Sequence, residues 1–133
     1  MGATTKTWAA ITGAVFLILG VLGFLDNSLI SARGYFLTDG ALSLVHALTG
    51  VVSLAFAYGA TEHGANLGLK VIGGLYVVVA LVGFVVVSPT NTQLLGMQVN
   101  MPSNWLHLIL GAGVLAVAWA TSESHHRHFA AHA

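Results

Sequence analysis

Two histidines, His46 and His107, combine a reactive residue type with an unusual setting. Each lies inside a long apolar segment, and each is followed four residues later by a glycine, Gly50 or Gly111. At that spacing the glycine shares a helical face with the histidine and lets a backbone or a flat ligand approach closely. An ionisable side chain within an apolar span is costly, so it normally faces the interior of a bundle and finds a partner. We therefore treat His46 and His107 as candidate cofactor-binding residues.

Three interpretations of this histidine pair remain open. In the structural interpretation, each neutral imidazole hydrogen-bonds a loop carbonyl or one of the residues Asp39, Asn100 and Asn104, and thereby fixes an outer loop to the bundle. This interpretation needs no ligand and is preferred. In the second, the two imidazoles ligate a metal ion or the iron of a b-type haem. In the third, they contact a lipid, a quinone or a pigment.

Composition defines the environment in which these histidines must lie. Of the 133 residues, 56% are hydrophobic and 6% are charged, the formal net charge is +0, and the mean hydropathy is +0.87. An ordinary soluble domain has roughly 25% charged residues, so this composition excludes a disordered chain, a nucleic-acid binder and a water-soluble enzyme. The chain has no cysteine, which excludes disulfides, thiolate metal sites and thiol catalysis.

Four uncharged apolar segments could position the histidines. They are Trp8–Leu25, Ala41–Tyr58, Leu69–Val87 and Trp105–Ala120. Each approaches the ~20 residues that cross a hydrocarbon core ~30 Å thick, and only helices satisfy their own backbone groups there. The sequence therefore predicts an all-α fold, a four-transmembrane-helix bundle in a single domain over residues 1–124, with loops at 26–40, 59–68 and 88–104.

Charge asymmetry predicts the orientation of the bundle. With four spans, the N-terminus, the second loop and the C-terminus lie on one side of the membrane. That side carries Lys6, Lys70 and Arg127, whereas the other carries Arg33 alone. Because basic residues favour the cytoplasmic side, both termini are predicted in the cytoplasm, with the chain in the cell membrane.

The two halves of the sequence resemble each other. The segment Gly13–Phe16 aligns with Gly73–Tyr76, and the segment Leu44–Gly50 aligns with Trp105–Gly111, with the two histidines in register. This pattern predicts an internal duplication, with repeat 1 at about 7–60 and repeat 2 at about 67–121. Each repeat holds two spans, so the repeats keep the same orientation and are expected to be related by a twofold axis along the membrane normal.

The loop before the last span carries a family resemblance. The segment Leu94-Leu95-Gly96-Met97-Gln98-Val99-Asn100, followed by the helix start Asn104–Gly111, resembles the domain of unknown function 4383 family of small four-helix bacterial and archaeal membrane proteins. The resemblance covers about Thr7 to Ala120. It departs from the family pattern at Ser43, where the second half has Asn104. The family has no assigned activity, so the resemblance implies the architecture alone.

Small residues at helical spacing predict close helix packing, either within the chain or against another subunit. The candidate packing residues are Gly13, Gly20, Gly50, Gly73, Gly111, Ala112 and Ala116. At the C-terminus, the His-rich tail at 125–133 is expected to be flexible, with weak metal binding as the alternative.

The sequence contains no recognisable set of catalytic residues, so we predict that the protein is not an enzyme. The preferred function is an accessory or structural membrane subunit that acts through helix packing. Its expected partners are the lipid bilayer and either a second copy or a larger membrane complex, with no nucleic acid. The alternatives are a redox protein that binds haem or a metal at His46 and His107, and a binder of lipid, quinone or pigment.

Overall fold

The computed structural model describes residues 4–131, with side chains as far as Ser122. Within this range the chain forms four helices: α1 (Thr5–Gly23), α2 (Gly40–Gly59), α3 (Glu62–Val86) and α4 (Met101–Ala131). Each is long and apolar enough to cross a membrane, α4 from Met101 to Ser122. The predicted all-α fold with four helices of membrane-spanning length is therefore confirmed.

Helices α3 and α4 begin earlier than the apolar segments indicated. The Thr61 side chain accepts a hydrogen bond from the Gly64 backbone N–H and caps α3, so the second loop shrinks from residues 59–68 to residues 60–61. Asn100 caps α4 in the same way by accepting from the Ser103 N–H. These first turns are polar, so the length of an apolar segment does not indicate them. Helix capping depends on side-chain oxygens and not on hydropathy.

Both long loops lie at one end of the bundle, which we call the loop end. They contain four short strands, none of which was predicted: β1 (Ile30–Ser31), β2 (Phe36–Leu37), β3 (Gln93–Leu94) and β4 (Met97–Gln98). Strands β1 and β2 pair in parallel, whereas β3 and β4 form an antiparallel hairpin. At the hairpin tip both Leu95 and Gly96 have positive φ, 52° and 79°, as a two-residue hairpin turn requires.

Helix α1 packs mainly on α2, and α3 packs mainly on α4, so the bundle consists of two helix pairs. The glycines allow close contact inside each pair. A Cβ atom at Gly50 would lie 2.7 Å from the Gly13 carbonyl oxygen, and one at Gly111 would lie 2.8 Å from the Gly73 carbonyl oxygen. At Gly20, a Cβ would lie 2.6 Å from the Ala47 backbone nitrogen. These three contacts are with backbone atoms, which cannot move aside cheaply.

Two of the predicted packing residues face away from the rest of the chain. Ala112 and Ala116 are exposed on α4, so the first of the two possibilities left open, packing within the chain, does not apply to them. The alternative, packing against another subunit, stays a prediction. The side chains of the His-rich tail at 125–133, together with residues 132–133, lie outside the described residues, and its predicted flexibility and metal binding stay predictions as well.

Candidate functional site

His46 of α2 and His107 of α4 meet at the centre of the bundle. Their Nε2 atoms are 3.3 Å apart, and the two side chains are 2% and 1% exposed. One neutral imidazole can therefore donate to the other, which accepts. The histidines bond to each other and not to Asp39, Asn100 or Asn104, so the predicted bonds to loop residues are wrong.

Two further aromatic rings complete what we call the aromatic cluster: Phe16, His46, Tyr76 and His107. The Tyr76 ring centroid lies 5.7 Å from that of His107, 6.1 Å from that of His46 and 4.7 Å from that of Phe16. Phe16 and Tyr76 occupy aligned positions of the two sequence halves, as do the two histidines. The cluster therefore receives one ring from each of the four helices.

Both imidazoles keep one nitrogen without a partner. The Nδ1 atoms of His46 and His107 are buried and have no hydrogen-bond partner among the described residues. Since one Nε2 donates and the other accepts, one of these Nδ1 atoms is an acceptor and the other carries a proton. The hydrogen-bonding capacity of the two imidazoles is therefore only partly used. Buried nitrogens without partners reduce the stability gained from the bond between the two histidines.

The geometry of the pair does not fit a haem. Two axial imidazoles on one iron would place their nitrogens roughly 4 Å apart, about two metal–nitrogen bonds, with the macrocycle between the rings. The Nε2 atoms of His46 and His107 instead lie 3.3 Å apart in direct contact, and backbone covers both Gly50 and Gly111.

A metal ion is a different case. A separation of 3.3 Å suits two ligands of a tetrahedral metal ion, whose bonds to nitrogen are roughly 2.0–2.1 Å. Such an ion needs more ligands than two. Among the described residues, however, no group of three or more His, Cys, Asp or Glu side chains could hold one. The pair is therefore not a complete metal site on its own.

The two outer loops are held by Asp39 and Asn100, and not by the histidines. Asp39 caps α2 and accepts a hydrogen bond from the Gln98 N–H at 3.1 Å, in the loop of the other half. Asn100 accepts one from the Leu37 N–H at 3.2 Å and donates to the Tyr35 carbonyl at 3.0 Å. Each cap thus binds the opposite loop. An Asp or Asn before a helix signals the cap, but no sequence pattern signals the bond to the other half.

Ser43 and Asn104 occupy the aligned position at which the halves differ. Both are fully buried, and each lies against a glycine of its own helix pair, Gly23 or Gly83. Ser43 pairs with Thr38 at 3.4 Å. The Asn104 amide nitrogen contacts the Met101 sulfur at 3.6 Å, and its Oδ1 has no partner among the described residues.

At the opposite end of the bundle, which we call the terminal end, sequence reasoning missed a polar cluster. Thr5 donates to Thr121 at 2.6 Å, and the Asn66 amide donates to the Ala118 carbonyl at 2.6 Å. These bonds join α1, α3 and α4. Their residues lie near the ends of the predicted spans and carry no charge, so no motif distinguished them.

These features define a class: small helical proteins with four helices long and apolar enough to span a membrane, in which buried polar side chains join two helix pairs. Residues 6–120 match the family described as Domain of unknown function (DUF4383), and the chain belongs to this family. The resemblance seen in the sequence is therefore confirmed. No curated protein and no solved structure matches the chain.

Proposed function

We propose that this chain is a non-enzymatic integral membrane protein of the cell membrane, an accessory or structural subunit that acts through helix packing. The observation that carries the proposal is the exposed position of Ala112 and Ala116 on α4. Small residues in a membrane helix normally mark a place where another helix approaches closely. Since no helix among the described residues covers them, the approaching helix belongs to a second copy or to another membrane protein.

The interior of the bundle supports a structural role. His46 and His107 join the two helix pairs at the centre, and Asp39 and Asn100 join the two loops. At the terminal end, Asn66 joins α3 to α4. The described polar groups are thus used in holding the bundle together, and they do not converge on an open cleft as catalytic groups would.

The contacts also favour the parallel two-helix repeat. Gly13 and Gly50 form the same close approach as Gly73 and Gly111. The Leu37 N–H donates to Asn100 and the Gln98 N–H donates to Asp39, and both the donors and the acceptors are 61 positions apart. Reciprocal contacts of this kind are expected from two units related by a twofold axis along the bundle.

The proposed orientation places both termini in the cytoplasm. Lys70 lies 4.8 Å from the Trp119 ring centroid at the terminal end, a combination common at the headgroup boundary. The chain has no cysteine, so single cysteines report without background. With a membrane-impermeant maleimide on intact cells, Thr90→Cys should be labelled, and His63→Cys only after permeabilisation. The reverse pattern would overturn the orientation.

Association through α4 is tested with a photo-crosslinker in the native membrane. Ala116→Cys carries a maleimide-benzophenone, and the control is Ala55→Cys, which is also exposed and lies 61 positions earlier on α2. We expect adducts of higher protein mass from Ala116→Cys and lipid adducts alone from Ala55→Cys. Lipid adducts alone from both variants would contradict the proposed packing role.

A further inference from the structure

An apolar groove runs between α2 and α3 on the outside of the bundle, with a volume of about 500 Å³, within the size range of small-molecule sites. Its lining residues are Val45, Leu48, Thr49, Val52, Phe56, Gly64, Leu67, Gly68, Val71, Ile72 and Leu75. On α3 the lining extends from Gly64 to Leu75, which is roughly 16 Å along a helix. We call it the α2–α3 groove. Its length suits an elongated apolar molecule.

Thr49 is the one lining residue with a polar side chain. Its hydroxyl donates to the Val45 carbonyl at 2.8 Å, so the Tyr76 hydroxyl, 2.9 Å away, is the donor in the bond between Thr49 and Tyr76. A hydroxyl oxygen has two lone pairs, and Tyr76 occupies only one of them. Thr49 therefore offers one free acceptor and no free donor to whatever fills the groove.

The depth of Thr49 restricts the occupant further. Thr49 is the tenth of the twenty residues of α2, so it lies roughly 14 Å from each end of the helix. That is the middle of a hydrocarbon core ~30 Å thick. A charged lipid headgroup would be costly at this depth, so the polar group that meets Thr49 must be neutral.

The aligned positions of the other half lack these features. The residue aligned with Thr49 is Leu110, and the residue aligned with Tyr76 is Phe16. Gly68 aligns with Trp8, whose side chain packs against the central core. The polar pair and the glycine at position 68, on which the Phe56 ring packs, therefore belong to the α2–α3 side alone, and helix contacts common to the two halves do not account for them.

We propose that the α2–α3 groove binds a neutral lipid with one long apolar chain and a terminal hydroxyl, such as an isoprenoid alcohol. The ligand hydroxyl donates to the free lone pair of Thr49 Oγ1 at mid-membrane. The chain follows the groove past Val52 and Phe56 toward Gly64. This binding site is independent of the packing surface on α4.

The first experiment compares two probes by native mass spectrometry of the detergent-solubilised protein. Geranylgeraniol carries the donor, and its methyl ether has the same chain without one. One neutral hydrogen bond corresponds to about fivefold in affinity, so we expect the alcohol to bind about fivefold more tightly than the ether. Equal binding of the two probes would overturn the proposal, because it would show that any apolar chain fills the groove.

Variants at Thr49 test the proposed acceptor. Thr49→Ser keeps a hydroxyl and should keep the preference for the alcohol, whereas Thr49→Val should lose it. Because Thr49→Val leaves the Tyr76 hydroxyl without its partner, the double variant Thr49→Val with Tyr76→Phe is measured beside it. The double variant makes both positions apolar, as the aligned residues Leu110 and Phe16 are. It should also show no preference for the alcohol over the ether. A preference retained in the double variant would refute the role of Thr49.

The location is tested by filling the groove from its rim. Val71 lines the groove and is 53% exposed, and Val78 is 55% exposed on the same helix outside the lining. Val71→Trp should reduce binding of geranylgeraniol at least tenfold, while Val78→Trp should leave it unchanged. Equal effects would place the ligand elsewhere. If Val71→Trp instead converts a dimer to a monomer in the same spectra, the occupant is a second copy and the lipid proposal fails.

Discussion

The two helix pairs share their backbone contacts and a buried central histidine, and they differ at another buried polar position. In both pairs a glycine of one helix touches a glycine of the other, Gly13 with Gly50 and Gly73 with Gly111. In contrast, the α1–α2 pair buries Ser43 where the α3–α4 pair buries Asn104. The comparison indicates that the same close backbone packing is compatible with different buried polar residues at this position.

The largest expected effect is at the shared glycine contacts. Gly50→Ala and Gly111→Ala would each place a Cβ within 3.0 Å of backbone atoms of the neighbouring helix. We expect each to lower the free energy of unfolding by about 3 kcal/mol, because backbone cannot move aside without separating the helices. Chemical unfolding in detergent measures the loss.

Gly74→Ala serves as the control for these two variants. A Cβ at Gly74 meets nothing within 4 Å, and alanine favours the helix over glycine by about 1 kcal/mol. This variant should therefore be as stable as the parent or slightly more stable. If Gly50→Ala is severe and Gly111→Ala is mild, the two pairs do not depend on the same contact and the comparison is broken.

A smaller effect is expected at the histidines, which join the pairs. His46→Leu and His107→Leu each leave the Nε2 atom of the other ring without its partner, at a cost of about 1–3 kcal/mol. Because the bond is shared, we expect similar losses from the two variants. The double variant should lose clearly less than the sum of the single losses.

A double-mutant cycle by thermal unfolding in detergent measures this coupling between the histidines. Additive losses would show that His46 and His107 do not act as a pair, and the proposal that they join the two helix pairs would then be wrong. A loss confined to His107→Leu would show instead that the two helix pairs use their histidines differently.

The loop caps should differ by a modest amount. Asn100 bonds the Ser103 and Leu37 N–H groups and the Tyr35 carbonyl, whereas Asp39 bonds two N–H groups, those of Leu42 and Gln98. Loss of a helix cap costs about 1 kcal/mol.

We therefore expect both Asp39→Ala and Asn100→Ala to loosen the two loops together, with the larger effect from Asn100→Ala. Hydrogen exchange of residues 26–38 and 88–99 checks the prediction. Faster exchange confined to one loop in either variant would contradict the crossed arrangement of the caps.

The sequence allowed the helices to be predicted but not the partners of their polar residues. Apolar length indicates a span, and the aligned histidines indicate equal depth in two helices. The contact between His46 and His107 depends on how two helix pairs dock, which periodicity within one helix does not encode. The pair of Thr49 and Tyr76 was missed for the same reason. Strands β1–β4 were missed because two residues are too few to show alternation.

The smallest expected effect concerns the position at which the two pairs differ. Asn104→Ser gives the α3–α4 pair the residue that the α1–α2 pair has at Ser43. The change removes a buried amide whose Oδ1 has no partner among the described residues and whose nitrogen donates to the Met101 sulfur. It also leaves unfilled space beside Gly83, where the amide now lies.

These two consequences of Asn104→Ser oppose each other. Removing the unpartnered Oδ1 should raise the stability of the variant, whereas the packing lost with the amide should lower it. We therefore expect stability within about 1 kcal/mol of the parent, measured by thermal unfolding in detergent beside Asn104→Ala. A loss of roughly 3 kcal/mol in Asn104→Ser would contradict this prediction. The Asn104 amide would then stabilise the α3–α4 pair in a way that Ser43 does not stabilise the α1–α2 pair, and the two pairs would differ in energy as well as in residue type.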